Sequence, residues 1–196
     1  MAELDYALAV RPFPGKQLNE CGDIGVVREF GNKLFFAIVD VLGHGREAHE
    51  LAVIVREYLE KNYRRGLVEL MEGLHECLKL SRGAVAGVGL LDRESGELRY
   101  VGVGNITARK LGRSSLSLVP RQGIVGYAMR TLREETAQLD DGDVVVLHTD
   151  GVQDRFDLSD YPQIAADDAD TICHQIIKRF GKEEDDAACL ALRYRR

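Results

Sequence analysis

Short β-strand patterns fill most of this sequence, and one pair of helical stripes interrupts them after the first forty residues. The first strand patterns are Tyr6–Arg11, Ile24–Phe30 and Leu34–Val41. Gly31 and Asn32, between the last two, are typical of a tight hairpin turn. Apolar residues then recur at helical spacing over Glu47–Tyr63 and Leu67–Leu80. Because strands and helices do not alternate, this order favours antiparallel sheets over a doubly wound parallel sheet.

The rest of the sequence repeats the pattern of strands and turns before one more helix and one more strand. Strand patterns occupy Ala84–Leu91, Glu97–Val103, Thr107–Leu111, Ser115–Val119, Leu132–Leu139 and Val144–Leu147. We predict that they pair in sequence as three hairpins, the last turning at Asp140–Gly142. An amphipathic helix over Asp168–Phe180, ended by Gly181, precedes a strand at Ala187–Leu192. The predicted fold class is therefore α+β, built as one domain over residues 1–196.

Composition and charge disfavour several classes of protein. The 196 residues carry a formal net charge of −6, whereas nucleic-acid-binding surfaces concentrate positive charge. The apolar runs are far shorter than the roughly 18 residues of a membrane span, and the first residues lack the pattern of a secretory leader. Cys21, Cys77, Cys173 and Cys189 form no C-x-x-C pair, which is typical of reduced thiols. We therefore expect a cytoplasmic protein with neither nucleic acid nor membrane as partner.

Aspartates recur where predicted strands begin or end. Asp23 opens a strand, Asp40 closes one, Asp150 follows another, and Asp185 precedes the final strand. If the sheets stack, these ends can meet at one rim, where carboxylate oxygens suit Mg²⁺ or Mn²⁺. The alternative is that each aspartate only shapes a turn, as Asp-Gly pairs commonly do, and Asp140–Gly142 is interpreted in that way. The set and its order, more than any one motif, favour a metal site.

Three segments together resemble the motif series of PPM-type protein phosphatases. They are Val39–Gly45 (VDVLGHG), Thr149–Val152 (TDGV) and Asp185–Ala188 (DDAA). The sequence is most similar to the bacterial branch that contains SpoIIE, RsbU and RsbX, and Val101–Asn105 resembles the RsbX members most. The resemblance implies a β-sandwich of two antiparallel sheets flanked by helices (αββα), which agrees with the order of the predicted elements.

The resemblance also implies a site with two Mn²⁺ or Mg²⁺ ions. Asp40 would bridge the ions, the Val41 carbonyl would bind the second ion, and Asp150 and Asp185 would complete the first. Asp23 would hold metal-bound water. The residues expected to surround these ligands are Gly43, His44, Gly151 and Asp186.

The reaction implied by the resemblance is hydrolysis of phosphoserine or phosphothreonine. Asp40, Asp150 and Asp185 would be the catalytic residues, and metal-bound hydroxide would attack phosphorus directly. The expected substrates are phosphorylated proteins of the bacterial stress response, in particular components of the stressosome. We expect the enzyme to act as a monomer.

The sequence departs from the family pattern at several positions. Ser81 stands where many members carry an aspartate, which disfavours a third metal, and Asn105 stands where some carry an acid. Ala188 lacks the hydroxyl of the last motif. The cations nearest to the expected phosphate-binding position are Lys16 and Arg11. The segment Gly123–Tyr127 is predicted to be a mobile loop that faces the substrate.

Two other functions remain open at this stage. The chain could be a phosphatase-fold binding module without activity, since Ser81 and Ala188 depart from the pattern, although the retained aspartates disfavour this reading. It could also be a metal-dependent phosphohydrolase that acts on small phosphate esters. Metal uptake separates the first alternative from a phosphatase, and activity on esters without activity on phosphoproteins identifies the second.

Overall fold

The computed structural model describes residues 3–112, 114–153 and 160–196, which form layers of strands and helices. The strands are β1 (Glu3–Arg11), β2 (Asp23–Phe30), β3 (Lys33–Val41), β4 (Ala84–Asp92), β5 (Glu97–Val103), β6 (Thr107–Leu111), β7 (Leu116–Ser117), β8 (Gly123–Ile124), β9 (Ala128–Met129), β10 (Glu135–Gln138), β11 (Val144–His148) and β12 (Ala187–Arg195). The helices are α1 (Arg46–Asn62), α2 (Leu67–Cys77), α3 (Pro162–Ala165) and α4 (Ala169–Phe180). A short 3-10 turn covers Leu18–Glu20.

Two five-stranded antiparallel sheets face each other. Sheet I has the strand order β1-β12-β11-β6-β7, and sheet II has the order β10-β5-β4-β3-β2. The strands β8 and β9 form a separate small hairpin. Helices α1 and α2 pack on the outer face of sheet II, and α4 packs on the outer face of sheet I. The expected αββα sandwich of antiparallel sheets is confirmed.

Both faces of the central strands are buried, which explains their nearly continuous apolar sequences. On β3, Phe36 and Ile38 lie in the core between the sheets, whereas Phe35 and Ala37 pack in the core beneath α1 and α2. Strand β12 divides its side chains in the same way between the inter-sheet core and α4. The helices are therefore needed to cover the outer faces of both sheets. None of the described helices has the length and apolar character required to cross a membrane.

Three of the four predicted hairpins are present, and the fourth is wrong. The pairs β2–β3, β4–β5 and β6–β7 form as predicted. In contrast, β10 pairs with β5 in sheet II, while β11 pairs with β6 and β12 in sheet I. The turn at Asp140–Gly142 therefore carries the chain from one sheet to the other. The amide of Gly142 donates to the carbonyl of Tyr194 on β12, so the turn closes onto the far sheet.

Two smaller predictions also need correction. Helix α2 ends at Cys77 instead of Leu80, because Leu78 already leaves the helical conformation, with φ of −94° and ψ of 3°, and Leu80 is left-handed, with φ of 66°. The segment predicted as a mobile loop at Gly123–Tyr127 forms part of the β8–β9 hairpin. Its centre is fixed, since Val125 is fully buried and exchanges two backbone hydrogen bonds with Ala84 on β4.

A buried ion pair joins β6 to the residue before β11. Lys110 Nζ lies 2.8 Å from Asp143 Oδ2, and the two side chains are 3% and 2% exposed. Lys110→Met leaves the Asp143 carboxylate buried without its cation, so we expect a loss of about 3–5 kcal/mol in the free energy of unfolding, measured by urea denaturation. Lys110→Met/Asp143→Leu should recover much of that loss. Equal losses in the single and double variants would contradict this account.

Candidate metal centre

Strands β2 and β3 bring two aspartates side by side at one end of sheet II. Asp23, the first residue of β2, is the register partner of Asp40, near the end of β3. The chain then turns through Leu42–Gly45, where Gly43 and Gly45 have φ of 87° and 83°, a region that favours glycine. The glycines let β3 end abruptly before α1, so Asp40 lies at the rim of the sheet.

Sheet I brings the other acidic residues to the same rim. Strands β11 and β12 are antiparallel neighbours with His148 opposite Cys189, so the end of β11 and the start of β12 coincide. Asp150 follows β11 by two residues, and Asp185 precedes β12 by two residues. The two acidic motifs of this sheet therefore meet although they lie far apart in sequence.

Thr149 connects the two sheets at this rim. Its hydroxyl donates to Asp23 Oδ2 at 2.6 Å and accepts a hydrogen bond from the Ala188 amide at 2.9 Å. Its own amide donates to the Ala188 carbonyl at 3.1 Å. Thr149 is fully buried, and one side chain thus fixes the position of Asp23 relative to β11 and β12.

Asp186 fastens the segment before β2 to the start of β12. Its carboxylate accepts hydrogen bonds from the amides of Phe13 and Gly22, at 2.6 and 2.8 Å. Gly151 packs against the backbone of Asp186 so closely that a Cβ at this position would lie 1.7 Å from the Asp186 carbonyl oxygen. Both residues expected here therefore border the acidic cluster, where they hold the backbone in place.

The carboxylates raise one another's pKa because they are buried together. Burial raises the pKa of Asp40 to about 7, and repulsion by Asp150 and Asp185 adds to the effect. The pKa of Asp23 is raised well above its ordinary value by burial and by Asp40. The pKa of Asp185 is also raised, by burial and then by Asp150, while Lys182 opposes the shift. The cluster therefore concentrates negative charge that the surrounding protein does not neutralise.

This donor set fits hard divalent cations. Carboxylate oxygens are the ligands that Mg²⁺ and Mn²⁺ prefer, and cations would relieve the repulsion that raises these pKa values. Gly22 leaves the backbone beside the cluster open, since a Cβ there would lie 3.0 Å from the Val41 carbonyl oxygen. Among the described residues, no group of three or more His, Cys, Asp or Glu side chains is arranged closely enough to hold a metal ion by itself.

The predicted histidines and cations occupy different positions relative to the cluster. His44 is exposed in the turn after β3. His148, the last residue of β11, is buried, and its Nδ1 lies 2.9 Å from the Thr149 carbonyl oxygen. Arg11 directs Nη2 to the carbonyls of Lys182 and Asp185, so its guanidinium supports the loop before β12. Lys16 forms an exposed pair with Glu20.

Two residues at the rim were not identified from the sequence. Asn105, which was noted only as a departure from an acidic position, donates from Nδ2 to Asp150 Oδ2 at 2.8 Å. Arg82 donates from Nη1 to the Leu42 carbonyl at 3.2 Å and pairs with Glu47. The only signal for Arg82 was its position next to Ser81, because the start of β4 lies beside the turn after β3 only once the sheet is formed.

Comparison with known families identifies the chain. The sequence profile of the family described as Stage II sporulation protein E (SpoIIE) matches residues 31–195. The chain belongs to the SpoIIE family. Its architecture is that of PP2C-type phosphatases, the PPM fold, and the resemblance to the branch of SpoIIE, RsbU and RsbX is confirmed. Comparison with curated proteins gave no significant match.

Solved structures of other proteins resemble this SpoIIE-family chain over nearly its full length. A protein from work on the bacterial stressosome, described as a modular system adapted to control secondary messenger signalling, is 28% identical with a TM-score of 0.88; the match covers 97% of this chain and 100% of that one. RsbX in complex with magnesium is 19% identical with a TM-score of 0.84, covering 99% and 98%. The PP2C domain of SpoIIE from Bacillus subtilis, with a fragment of its regulatory domain, is 18% identical with a TM-score of 0.79, covering 99% and 62%.

Removal of one charge from the cluster should stabilise the metal-free protein at high pH. Because the pKa of Asp40 is higher in the folded than in the unfolded protein, the protonated carboxyl stabilises the fold. This contribution is complete below about pH 4 and is lost as the pH rises through about 7. We therefore expect Asp40→Asn to have a higher melting temperature than the parent at pH 8 in chelator, with the difference shrinking towards pH 4. Differential scanning calorimetry measures both values. Asp141→Asn, in an exposed turn, is the control, and an unchanged melting temperature for Asp40→Asn at pH 8 would refute the repulsion.

Proposed function

We propose that this SpoIIE-family chain is a metal-dependent protein phosphatase that hydrolyses phosphoserine or phosphothreonine. The observation that carries the proposal is the meeting of Asp23, Asp40, Asp150 and Asp185 at one rim, where the pKa values of three of them are raised. A cluster of this kind without a ligand would lower the free energy of unfolding at neutral pH and stabilise nothing else. In a PP2C-type fold, the same cluster is suited to divalent cations and a phosphoryl group.

The proposed ligands divide between the two sheets. Asp40 and the Val41 carbonyl from β3 would hold metal together with Asp150 and Asp185 from sheet I, and Asp23 would hold water. When bound, two Mn²⁺ or Mg²⁺ ions would lower the pKa of a water molecule and neutralise charge that develops on the phosphoryl group. RsbX, a structural relative, was solved with magnesium.

The chain's own residues orient these ligands. The Thr149 hydroxyl holds Asp23 at 2.6 Å, and the Asn105 amide holds one oxygen of Asp150 at 2.8 Å. Each bond fixes the position of one carboxylate oxygen. Orienting partners of this kind are commonly as important as the ligands themselves.

Arg82 is proposed as the residue that binds the phosphoryl group. Of the two cations suggested by the sequence, Arg11 is engaged with backbone carbonyls and Lys16 pairs with Glu20. The Arg82 guanidinium lies against the turn that follows Asp40, and a Cβ at Gly43 would come within 2.6 Å of its Nη1. Its ionic partner Glu47 is 83% exposed and can yield to a phosphoryl oxygen, since exposed ion pairs are weak.

The biological setting is part of the proposal. A relative that is 28% identical comes from work on the bacterial stressosome, which supports phosphorylated regulators of the stress response as substrates. We propose that residues 1–196 act as one phosphatase domain, as a monomer in the cytoplasm. The four cysteines are free thiols, in agreement with a reducing compartment.

The first test is hydrolysis of a phosphoserine protein with Mn²⁺ or with chelator. Asp40→Asn should reduce kcat by at least about a hundredfold, since the proposed bridging charge is lost. Asp141→Asn should retain full activity. Activity that persists in chelator or in Asp40→Asn would refute the proposed site. A folded parent protein that hydrolyses neither phosphoproteins nor small esters with any divalent metal would favour the binding module, and hydrolysis of esters alone would favour the small-molecule enzyme.

The second test concerns Arg82. Loss of a charge-assisted hydrogen bond should make Arg82→Ala raise KM for a phosphopeptide by about tenfold or more and weaken inhibition by inorganic phosphate to a similar degree. Glu47→Gln should have the opposite effect on both, because it releases the guanidinium. Arg28→Ala, which breaks a comparable surface pair with Glu60, is the matched control. An unchanged inhibition constant for phosphate in Arg82→Ala would rule out this role.

A further inference from the structure

A groove begins at the candidate metal centre and runs along the edge of sheet I. It has a volume of about 250 Å³ and lies between residues 105–109, which contain the first part of β6, and residues 117–120, which begin at the last residue of β7. One end is Asn105, whose side chain is hydrogen bonded to Asp150. We call this cavity the β6–β7 groove.

The groove has an apolar base and an open side. Ile106, Ala108 and Leu118 lie at its base and are each at most 2% exposed, because their side chains pack in the core between the sheets. Val119 lines the groove and is 63% exposed, so it offers an accessible aliphatic contact beside the polar side chains of Thr107, Arg109 and Ser117. An exposed aliphatic residue beside a groove of mixed lining is suited to contact one aliphatic group of a ligand.

The size of the groove favours a side chain over a small molecule. Pockets for cofactors and other drug-sized ligands usually measure about 300–1,000 Å³, and this one is smaller. From Asn105 to Arg109 an extended chain covers about 13 Å at 3.3 Å per residue. The groove therefore has the length of about four residues of an extended peptide that lies along β6.

We propose that the β6–β7 groove binds the part of a phosphoprotein substrate that flanks the phosphorylated residue, with an aliphatic side chain against Val119. The inference rests on the proposed phosphatase function and adds a determinant of substrate choice. The inference is based on the continuity of the groove with the candidate metal centre. A phosphorylated residue that reaches Asp150 lies next to Asn105, and the neighbouring residues of the substrate chain then enter the groove.

Val119→Glu is the decisive variant, since the exposed position tolerates a carboxylate while the groove loses its aliphatic character. The assay uses a phosphoserine peptide library with varied flanking residues, and p-nitrophenyl phosphate as a substrate without flanking residues. We expect kcat/KM for peptides with an aliphatic flanking residue to fall at least tenfold, while hydrolysis of p-nitrophenyl phosphate is unchanged. Peptides with lysine at the same position should become preferred.

Leu116→Glu is the matched control, because Leu116 is an exposed aliphatic residue on the same hairpin that does not line the groove. It should change neither activity. The groove assignment is overturned if Val119→Glu leaves peptide hydrolysis and preference unchanged, or if it reduces hydrolysis of both substrates equally.

A binding measurement separates the groove from the proposed reaction. If the parent protein hydrolyses none of these substrates, the proposed function fails, and the same peptides are then titrated into the parent and Val119→Glu. Nuclear magnetic resonance shifts at the amides of residues 117–119 that occur in the parent and vanish in the variant would support the groove. Shifts that are absent from the parent would refute it.

Discussion

The hydrogen bond from Thr149 to Asp23 is the contact on which the arrangement of the rim depends. It joins the end of β11 to the start of β2, and at 2.6 Å it holds a buried hydroxyl against a buried carboxylate. Because the two residues belong to different sheets, the bond sets how the acidic ends of the sheets face each other. Asp186 provides a second tie, from β12 to the amides of Phe13 and Gly22. The sheets can pack by apolar contacts alone, but these polar ties align their rims.

The acidic cluster opposes the stability that the cores supply. Two sheets buried on both faces provide apolar contacts across the whole molecule, while carboxylates crowded at one rim favour unfolding at neutral pH. The fold tolerates this repulsion because the strands that carry the aspartates are held by apolar contacts with the inter-sheet core and with α1. Sites whose groups have strongly shifted pKa values are often functional for this reason. The same repulsion makes the cluster a receptor for cations.

Most of the fold could be predicted from the sequence, because each strand next to a short turn finds its partner locally. The pairing of β10 with β5 could not be predicted, because Asp140–Gly142 has the composition of a hairpin turn. Only the hydrogen bond from Gly142 to Tyr194, which is distant in sequence, distinguishes this turn from a hairpin. The acidic residues of the site could be singled out by motif, and their convergence follows from the antiparallel register of the strands that carry them. Arg82 and the groove beside Val119 could not be predicted, because both depend on neighbours distant in sequence.

The position of β12 in sheet I has a consequence for the assembly of the molecule. This strand lies between β1 and β11, although it follows every other described strand in the chain. Closing the contact between Asp23 and Thr149 joins residues 126 positions apart, and that between Gly22 and Asp186 joins residues 164 apart. Contacts between residues so far apart in sequence form slowly, because the chain loses conformational entropy in closing the loop before the contacts stabilise it. During synthesis, β1 therefore remains unpaired until β12 has emerged from the ribosome. A nascent chain that lacks β12 also lacks a complete acidic rim. A cell that makes this protein thus obtains the complete acidic rim only after residues as late as β12 have left the ribosome.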